Sequence, residues 1–384
     1  MEIGFTGGRV LTRGGFADGT AWLSAGRFAV HGAGRCIDAT GLWLLPGAID
    51  LHGDAFERHV APRRGLVLDM VPAMPVIERE IAASGITTAW LAQFWSWEGG
   101  MRGPEFARAL LAALDAARPG LRLDMRVQLR LETHMLDDAG AVLDLIAAHR
   151  LGYLVFNDHL PHDRLSAGLP PPRLQGSAAK ARRSPGEHQA IMQALEARTG
   201  EVPGFLAALA PRLAAAGVRL GSHDDETAET RARYGALGAA ICEFPTTRAA
   251  AEAARARGEH VVMGAPNVVR GASHNRGGVS AESLIADGLV DALASDYHYP
   301  SLVVAAFALV DRGILDFPQA WALVSAGPAQ VLGLTDRGHI AEGMRGDLVL
   351  LDPNTRRIEG CFAAGRPVWL SGALADRVLG RVLG

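Results

Sequence analysis

The chain has 384 residues, 49% of them hydrophobic and 21% charged, which excludes disorder for its bulk and fits two domains or one large barrel with an appendage. A formal net charge of −3 gives no support for a nucleic-acid binder. Three widely spaced cysteines, Cys36, Cys242 and Cys361, exclude a disulfide framework and a paired-cysteine metal motif, and fit a reducing compartment. No apolar run approaches the ~18 residues that span a bilayer. The opening MEIGFTGGRVLTRGG lacks the apolar core of a signal peptide. These features predict a cytoplasmic protein without membrane association.

From residue 1 to about residue 45, short β-rich runs (RVLT, TAWLSAGRFAVHG, LWLLPG) alternate with glycine turns, the pattern of an antiparallel β module. Residues 46–336 alternate differently. PGAIDLH, TTAWLAQF, RLDMRVQLRLET, YLVFNDH, VRLGSHD, AAICEFP, HVVMGAPN and DALASDY are each followed by an Ala/Leu/Arg-rich helical stretch. Eight such units predict an α/β fold, a (β/α)8 TIM-like barrel. The mostly continuous apolar strands fit a parallel sheet buried on both faces. The rival doubly wound sheet lacks a GxGxxG after its first strand. Within this region LPPPRLQGSAAKARRSPGEH (169–188) reads as a mobile loop. Residues 337–384 return to short strands and glycine turns. Neither end is long enough for a sheet domain of its own, so 1–45 and 337–384 are expected to pair into one small β-sandwich beside the 46–336 barrel.

Of the 38 basic residues only Lys180 is a lysine. Schiff-base chemistry or a Walker-type phosphate loop would have to use that position, in the loop-like segment, which disfavours both. The strand ends carry a different signal. They read His52-Gly53-Asp54, Glu132-Thr133-His134, Asn157-Asp158-His159, Ser222-His223-Asp224-Asp225 and Ser295-Asp296. In a parallel barrel these ends form the reactive face. Residues two apart on a strand share a face, so His52 and Asp54 can both project into the mouth. Imidazole with carboxylate suits borderline divalent metals, and several converging ends can hold two ions about 3.5–4 Å apart. The plainer reading of any one histidine is a hydrogen bond at a strand end; five ends together point to a metal centre.

The order of HxD, Glu, His, His and Asp on successive strands, with GHIAEGMRGDLVLLDP near the end, resembles the amidohydrolase superfamily. WLLPGAIDLHGD, ASGITTAW, the NDH-x-P turn, SHDDET, CEFPTTRAAAEAAR, VVMGAPNVVRGASH and SDYHYPSLV are similar to the PhnM-like diphosphatases of the carbon–phosphorus lyase pathway. That resemblance implies a small phosphorylated substrate, α-D-ribose 1-methylphosphonate 5-triphosphate, cleaved to the 5-phosphate and pyrophosphate. Departures occur beside the ligand positions. Gly53 and Ala55 stand where Thr and Asn are expected, His162-Asp163 where Gly-Gln is expected, and the run after Asp296 is one residue longer.

Many members of the superfamily bridge two metals with a carboxylated lysine, and the lysine count disfavours that here. The resemblance then implies Glu132 as the bridging carboxylate, His52, Asp54 and Asp296 on one ion, and His159 and His223 on the other. The ions would be Zn, Mn or Fe; one ion held by part of this set remains open. Asp296 is also the expected catalytic proton acceptor. Phosphate recognition is expected from Arg58 and Arg63, with Arg64, after the first strand, and from Asn267, Arg270 and His274, with Arg276, after the seventh, because a guanidinium fork binds phosphate bidentately.

Glu57 is expected to pair with Arg58 at the rim. Asp224 or Asp225 is expected to orient His223. Glu243 ends the sixth strand, and Thr246 or Thr247 suits a helix N-cap. His59, His134, His162 and His298 read as supporting or surface residues. Trp90, Trp95 and Trp97 wall the cleft or pack in the core. The alternative activities are hydrolysis of a cyclic amide and deamination of a nucleobase. A non-catalytic barrel would have lost metal ligands, and this set is complete. Association into homo-oligomers is compatible with the sequence.

Overall fold

In a computed structural model, residues 2–63, 66–273 and 278–380 are described. The barrel strands are β1 (Ala48–Gly53), β2 (Ile86–Trp95), β3 (Asp124–Glu132), β4 (Tyr153–Asn157), β5 (Arg219–His223), β6 (Ala239–Glu243), β7 (His260–Gly264) and β8 (Ala292–Ala294). They lie side by side in chain order, all parallel. Every residue of β2 and of β4 is buried, as a sheet covered on both faces requires.

The barrel closes just beyond β8. The Asp296 N–H donates to the His52 carbonyl at 2.9 Å, and the Asp54 N–H donates to the Asp296 carbonyl at 2.9 Å. The closure is therefore made by the backbone of three candidate ligands. Ile49, Leu51, Trp90, Tyr153, Val155 and Ile241 belong to an apolar plug inside the barrel. A larger core fills the space between strands and helices.

Residues 169–188 differ from the expected loop. They carry a helix at Leu174–Lys180 and the start of another at Pro185–Glu196. Ser184 and Glu187 form a capping box with Pro185 in the first turn. Ser-Pro-Gly-Glu is a helix-start signal, masked here by the surrounding prolines. Lys180 thus lies in the last turn of a helix.

Two sheets arise from the terminal segments. One runs Gly15–Asp18, Arg9–Thr12, Trp43–Pro46, Leu348–Asp352, Arg357–Ala363, Arg366–Leu370, so both ends of the chain contribute. The other comprises Arg27–Ala29, Ala21–Ser24, Glu2–Thr6 and Arg35–Asp38, all from the N-terminal segment. Phe5, Leu23, Ile37, Leu44, Leu350 and Phe362 pack between them, with the rings of Phe5 and Phe362 edge to face at 5.0 Å. Trp43–Pro46 leads straight into β1, which seats the two sheets against the barrel. No helix among the described residues is long and apolar enough to cross a membrane.

Candidate metal centre

The end of β1 does not obey simple alternation. Its ladder with β2 is irregular between Asp50 and Gly53, so Leu51 joins the interior plug while His52 still reaches the mouth. Asp50, fully buried, accepts from the Ser295 N–H at 2.9 Å, the Ser295 hydroxyl at 2.5 Å and the His52 N–H at 3.3 Å. This ties β1 to the residue before Asp296. A Cβ at Gly53 would lie 2.5 Å from Asp50 Oδ2 and 2.6 Å from Tyr299 Cε1. The threonine expected at position 53 has no room, because the Tyr299 ring fills that space.

Each candidate imidazole is set by a carboxylate. His52 Nδ1 lies 2.8 Å from Glu243 Oε2, both side chains fully buried. The other Glu243 oxygen accepts from Gln128 Nε2 at 2.8 Å and the Tyr153 hydroxyl at 3.1 Å. Burial opposes the Glu243 charge, but His52 outweighs it and holds the carboxyl below its ordinary range. A hydrogen bond from Nδ1–H leaves the Nε2 lone pair of His52 for the mouth. His223 Nδ1 is 3.1 Å from Asp224 Oδ2. Burial raises Asp224, yet His223 brings it down to about 2. Asp225 is committed elsewhere, accepting from Ser222 Oγ at 2.6 Å and pairing with buried Arg231.

Three donor groups result, each with ligand atoms within 4.8 Å of one another: His52, Asp54 and Asp296; His52, His223 and Glu243; Glu98, Glu132 and His159. Glu132 Oε1 faces His159 Nδ1 at 2.5 Å, and its other oxygen accepts from the His159 N–H at 3.1 Å. Burial works against a charged His159, but Glu132 pushes it up to about 9. Glu98 Oε1 stands 3.5 Å from the same nitrogen. Burial pushes Asp296 up to about 6; His52 lowers it and Asp54 adds to the rise. Asp224, Phe244 and Asp296 all adopt left-handed backbone (φ 59°, 55° and 56°), a conformation held by surrounding structure and concentrated at functional sites.

The donors fit a divalent ion. His52 has a carboxylate hydrogen-bonded to Nδ1 and presents Nε2; His223 Nδ1 lies beside Asp224 but is buried without a well-directed hydrogen bond. Glu132 Oε1 and His159 Nδ1 are buried without a well-directed hydrogen bond. Carboxylate, imidazole and this geometry are the chemistry of borderline metals.

A family model described as the amidohydrolase family matches residues 79–360. The chain belongs to the amidohydrolase family. It is a hydrolase. It is 37% identical over 323 residues to the α-D-ribose 1-methylphosphonate 5-triphosphate diphosphatase of Escherichia coli (strain K12), covering 82% of this chain and 85% of that protein. The fold is similar to a β-aspartyl dipeptidase of Fervidobacterium islandicum AW-1 (TM-score 0.66, 14% identity, 97% of this chain and 98% of the other). It is also similar to the L-hydantoinase of Arthrobacter aurescens (TM-score 0.63, 15% identity, 96% of each chain).

In this member of the amidohydrolase family a cavity of about 400 Å³ opens over the donors, lined among others by Asp54, Arg130, His159, His223, Arg270 and Asp296. Nothing in the sequence pattern marks Arg130 as part of the centre. It lies on β3 two residues before Glu132, so Gln128, Arg130 and Glu132 share the inward face. Its Nη2 is 3.1 Å from His223 Nε2 and its Nη1 3.5 Å from His52 Nε2. Its guanidinium carbon is 3.9 Å from the centre of the Phe94 ring. Glu98 and Arg102, in the turn after β2, are two further residues the strand-end reading passed over. They pair through two hydrogen bonds, at 2.8 and 3.0 Å.

The other expected substrate contacts divide. Arg270 lines the cavity, its Nη1 3.4 Å from the Tyr297 hydroxyl. Asn267 also lines it, but its amide is committed to the Val279 carbonyl and the Ala281 N–H. Arg58 and Arg63 are not among the lining residues. The short helix Glu57–Val60 turns Arg58 away from Glu57 onto Glu80, and Arg63 forms a β-bridge with Leu66. Glu57 instead is pushed to about 7 by burial and by Asp54. His274, Arg64 and Arg276 lie outside the described residues. Trp90 belongs to the barrel plug, and the Trp95 indole donates to Asp138 at 2.7 Å. Trp97 packs with Leu160 and Met192. Thr247 is an N-cap, accepting from the Ala250 N–H.

Proposed function

We propose that this amidohydrolase-family enzyme hydrolyses α-D-ribose 1-methylphosphonate 5-triphosphate, or a closely related ribose triphosphate, to the 5-phosphate and pyrophosphate. The 37% identity to the Escherichia coli diphosphatase supports the choice of substrate. The single structural observation that carries it is Arg130. Arg130 as a whole is 5% exposed, and among the described residues no carboxylate reaches it within ion-pair distance. Its buried Nε has no hydrogen-bond partner. Asp54, Glu243 and Asp224 offset part of the Arg130 charge from a distance, and a phosphate entering the cavity would add a directly bound counter-charge in the planar geometry that guanidinium favours.

The reaction adds water across a phosphoanhydride. The water oxygen bonds to the phosphorus nearest the ribose. The bond from that phosphorus to the next bridging oxygen breaks, and pyrophosphate leaves with the electron pair. Divalent ions, two on this reading (Zn, Mn or Fe, held by His52, Asp54 and Asp296 and by Glu132, His159 and His223), would supply Lewis acidity to phosphoryl oxygens and lower the pKa of water. Asp296 takes the proton from the attacking water. Burial raises this carboxyl above the usual range in the metal-free chain, so it takes up a proton more readily than an exposed aspartate. Arg130 and Arg270 donate to oxygens that gain charge as the anhydride opens. Arg102 is neutralised by Glu98 and contributes less. The free thiols of Cys36, Cys242 and Cys361 support a reducing, cytoplasmic setting.

The test is to supply the triphosphate in ¹⁸O-water and follow products by mass spectrometry and phosphorus NMR. One pyrophosphate per turnover, with ¹⁸O in the sugar 5-phosphate, is the expected result. Ammonia release or ring opening of a cyclic amide, with no pyrophosphate, would overturn it in favour of the alternative.

A further inference from the structure

We propose that His134, Asp158 and His162 form a further metal-binding site, separate from the centre at the barrel axis and suited to zinc-class ions. The three come from two βα loops. His134 follows β3 and is 1% exposed. Asp158 follows β4. His162 opens the short helix His162–Ser166. Their ligand atoms lie within 4.8 Å of one another.

The hydrogen bonds around the trio point inward in the manner of a ligand set. His162 Nδ1 is held at 2.5 Å by Glu196 Oε2, from the end of the helix Pro185–Glu196. Its Nε2 is thereby aimed at both Asp158 oxygens, at 3.0 and 3.1 Å. His134 Nε2 is engaged by Thr199 Oγ1 at 3.1 Å, which aims its Nδ1 at Asp158 Oδ1, 3.7 Å away. His134 Nδ1 is hydrogen-bonded to Thr133 Oγ1 with Asp158 Oδ1 beyond it, while His162 has one nitrogen fixed from a distant segment and the other on the carboxylate. Metal-ligating histidines are oriented in this way. The 3.7 Å gap is too long for a hydrogen bond. It is close to the ligand–ligand spacing across one tetrahedral ion, ~3.3 Å for bonds of ~2.0–2.1 Å. The two rings stand 5.4 Å apart. Thr133 Oγ1, 3.2 Å from His134 Nδ1, is the neighbouring oxygen on the same side. Two imidazoles and a carboxylate complete three of four positions of a tetrahedral site.

An ion here would join the loops after β3 and β4. Glu132 lies two residues before His134, and His159 directly follows Asp158. The site would clamp two donors of the axial centre from outside while touching no substrate. It does not depend on the diphosphatase reading.

The experiment uses full-length protein stripped with chelator, reloaded with zinc or cobalt(II), and desalted. Metal is counted by plasma mass spectrometry, and cobalt geometry is read from visible absorption. His162→Gln is the first variant, because that side chain is 34% exposed and its replacement is tolerated sterically. It should bind one ion fewer than the parent and lose the absorption of a tetrahedral cobalt site. His134→Gln should do the same. A double variant, Asp54→Asn with His223→Gln, should retain one ion, which adding His162→Gln removes. If the parent itself holds a single ion that His162→Gln abolishes, the new site stands and the axial centre falls. Equal metal content in the parent and in folded His162→Gln protein would overturn the proposal, as would no retained ion in the double variant.

Discussion

Glu243 Oε2 and His52 Nδ1 meet at 2.8 Å across the barrel interior, with neither side chain exposed to solvent. Because the carboxylate can only accept, the imidazole must donate from Nδ1, which leaves Nε2 as the metal-facing lone pair. Glu243→Gln tests this link from packing to chemistry. An amide of the same shape can donate to Nδ1 and shift the proton to Nε2. Metal affinity is expected to fall 10–100-fold, the usual consequence of losing such a partner, while circular dichroism and melting stay near those of the parent. Competition with a chromogenic chelator measures it; unchanged affinity would mean that Glu243 does not set the tautomer.

Asp296 is expected to give the acid limb of activity and of metal uptake. Burial raises its carboxyl to about 6 in the metal-free chain. Below that pH the group is neutral, so a cation must displace a proton to bind. Metal affinity should therefore weaken as pH falls through about 6, and above it the rise continues at the Glu132–His159 side, because His159, pushed up to about 9, still has a proton to lose. Asp296→Asn should lower kcat by roughly 10²–10⁴, the range for loss of a positioned proton acceptor, and erase the pH dependence near 6. Isothermal titration between pH 5 and 8, with steady-state rates over the same range, decides between this and a purely structural Asp296.

Arg130 invites an expectation with two opposite signs. Its guanidinium lies against the Nε2 atoms of His52 and His223, where it opposes the approach of another cation. Arg130→Met should tighten metal binding by about tenfold, or ~1.4 kcal/mol, yet lower kcat/KM by about 10² or more through the lost phosphate contact. Arg130→Lys should fall between the two, since the ammonium keeps the charge without the fork. A variant that loses metal and activity together would assign Arg130 a packing role only.

The strand ends were legible because the (β/α)8 pattern places them at one rim and because imidazole and carboxylate types recur there. Arg130 was not. It interrupts an apolar run, MRVQLRLE, where an arginine reads as a tolerated surface residue until β3 is known to be buried. Glu98 lies in WSWEGG, where neither periodicity nor spacing marks a glutamate as facing the axis. The departure at Gly53 was visible, but its cause was not, since Tyr299 enters that space from far along the chain. Arg58 failed for a related reason: proximity in sequence to His52 says nothing about which way a one-turn helix points its side chains. In 169–188 the proline and glycine content outweighed a capping box that was in plain view.

At the opposite end of β3, Asp124 supports the barrel without serving the centre. Its carboxylate accepts from Arg337 Nη1 at 2.7 Å and from Arg126 at 2.7 and 2.9 Å, while Arg337 also donates to Thr88 at 2.8 Å. Arg337, 7% exposed, thereby ties the segment entering the terminal sheets to β2 and β3. Burial raises Asp124, but Arg126 and Arg337 outweigh it and hold the carboxyl well below its ordinary range. A depressed folded-state pKa stabilises the fold fully above the unfolded value of about 3.9, and that contribution is lost as pH falls toward the folded value. Asp124→Asn should therefore lower unfolding free energy by about 2 kcal/mol at pH 7, less than for a buried charge stripped of its only partner, because Arg337 keeps Asp336 at 2.8 and 3.1 Å. The deficit should shrink below about pH 4, where Asp124 of the unfolded parent begins to take up a proton while the folded carboxylate stays charged. Turnover per folded molecule should not change, because the residue lies at the end of the barrel away from the cavity. Urea denaturation at pH 7 and pH 3.5 separates this from a pH-independent packing defect, which would show the same deficit at both.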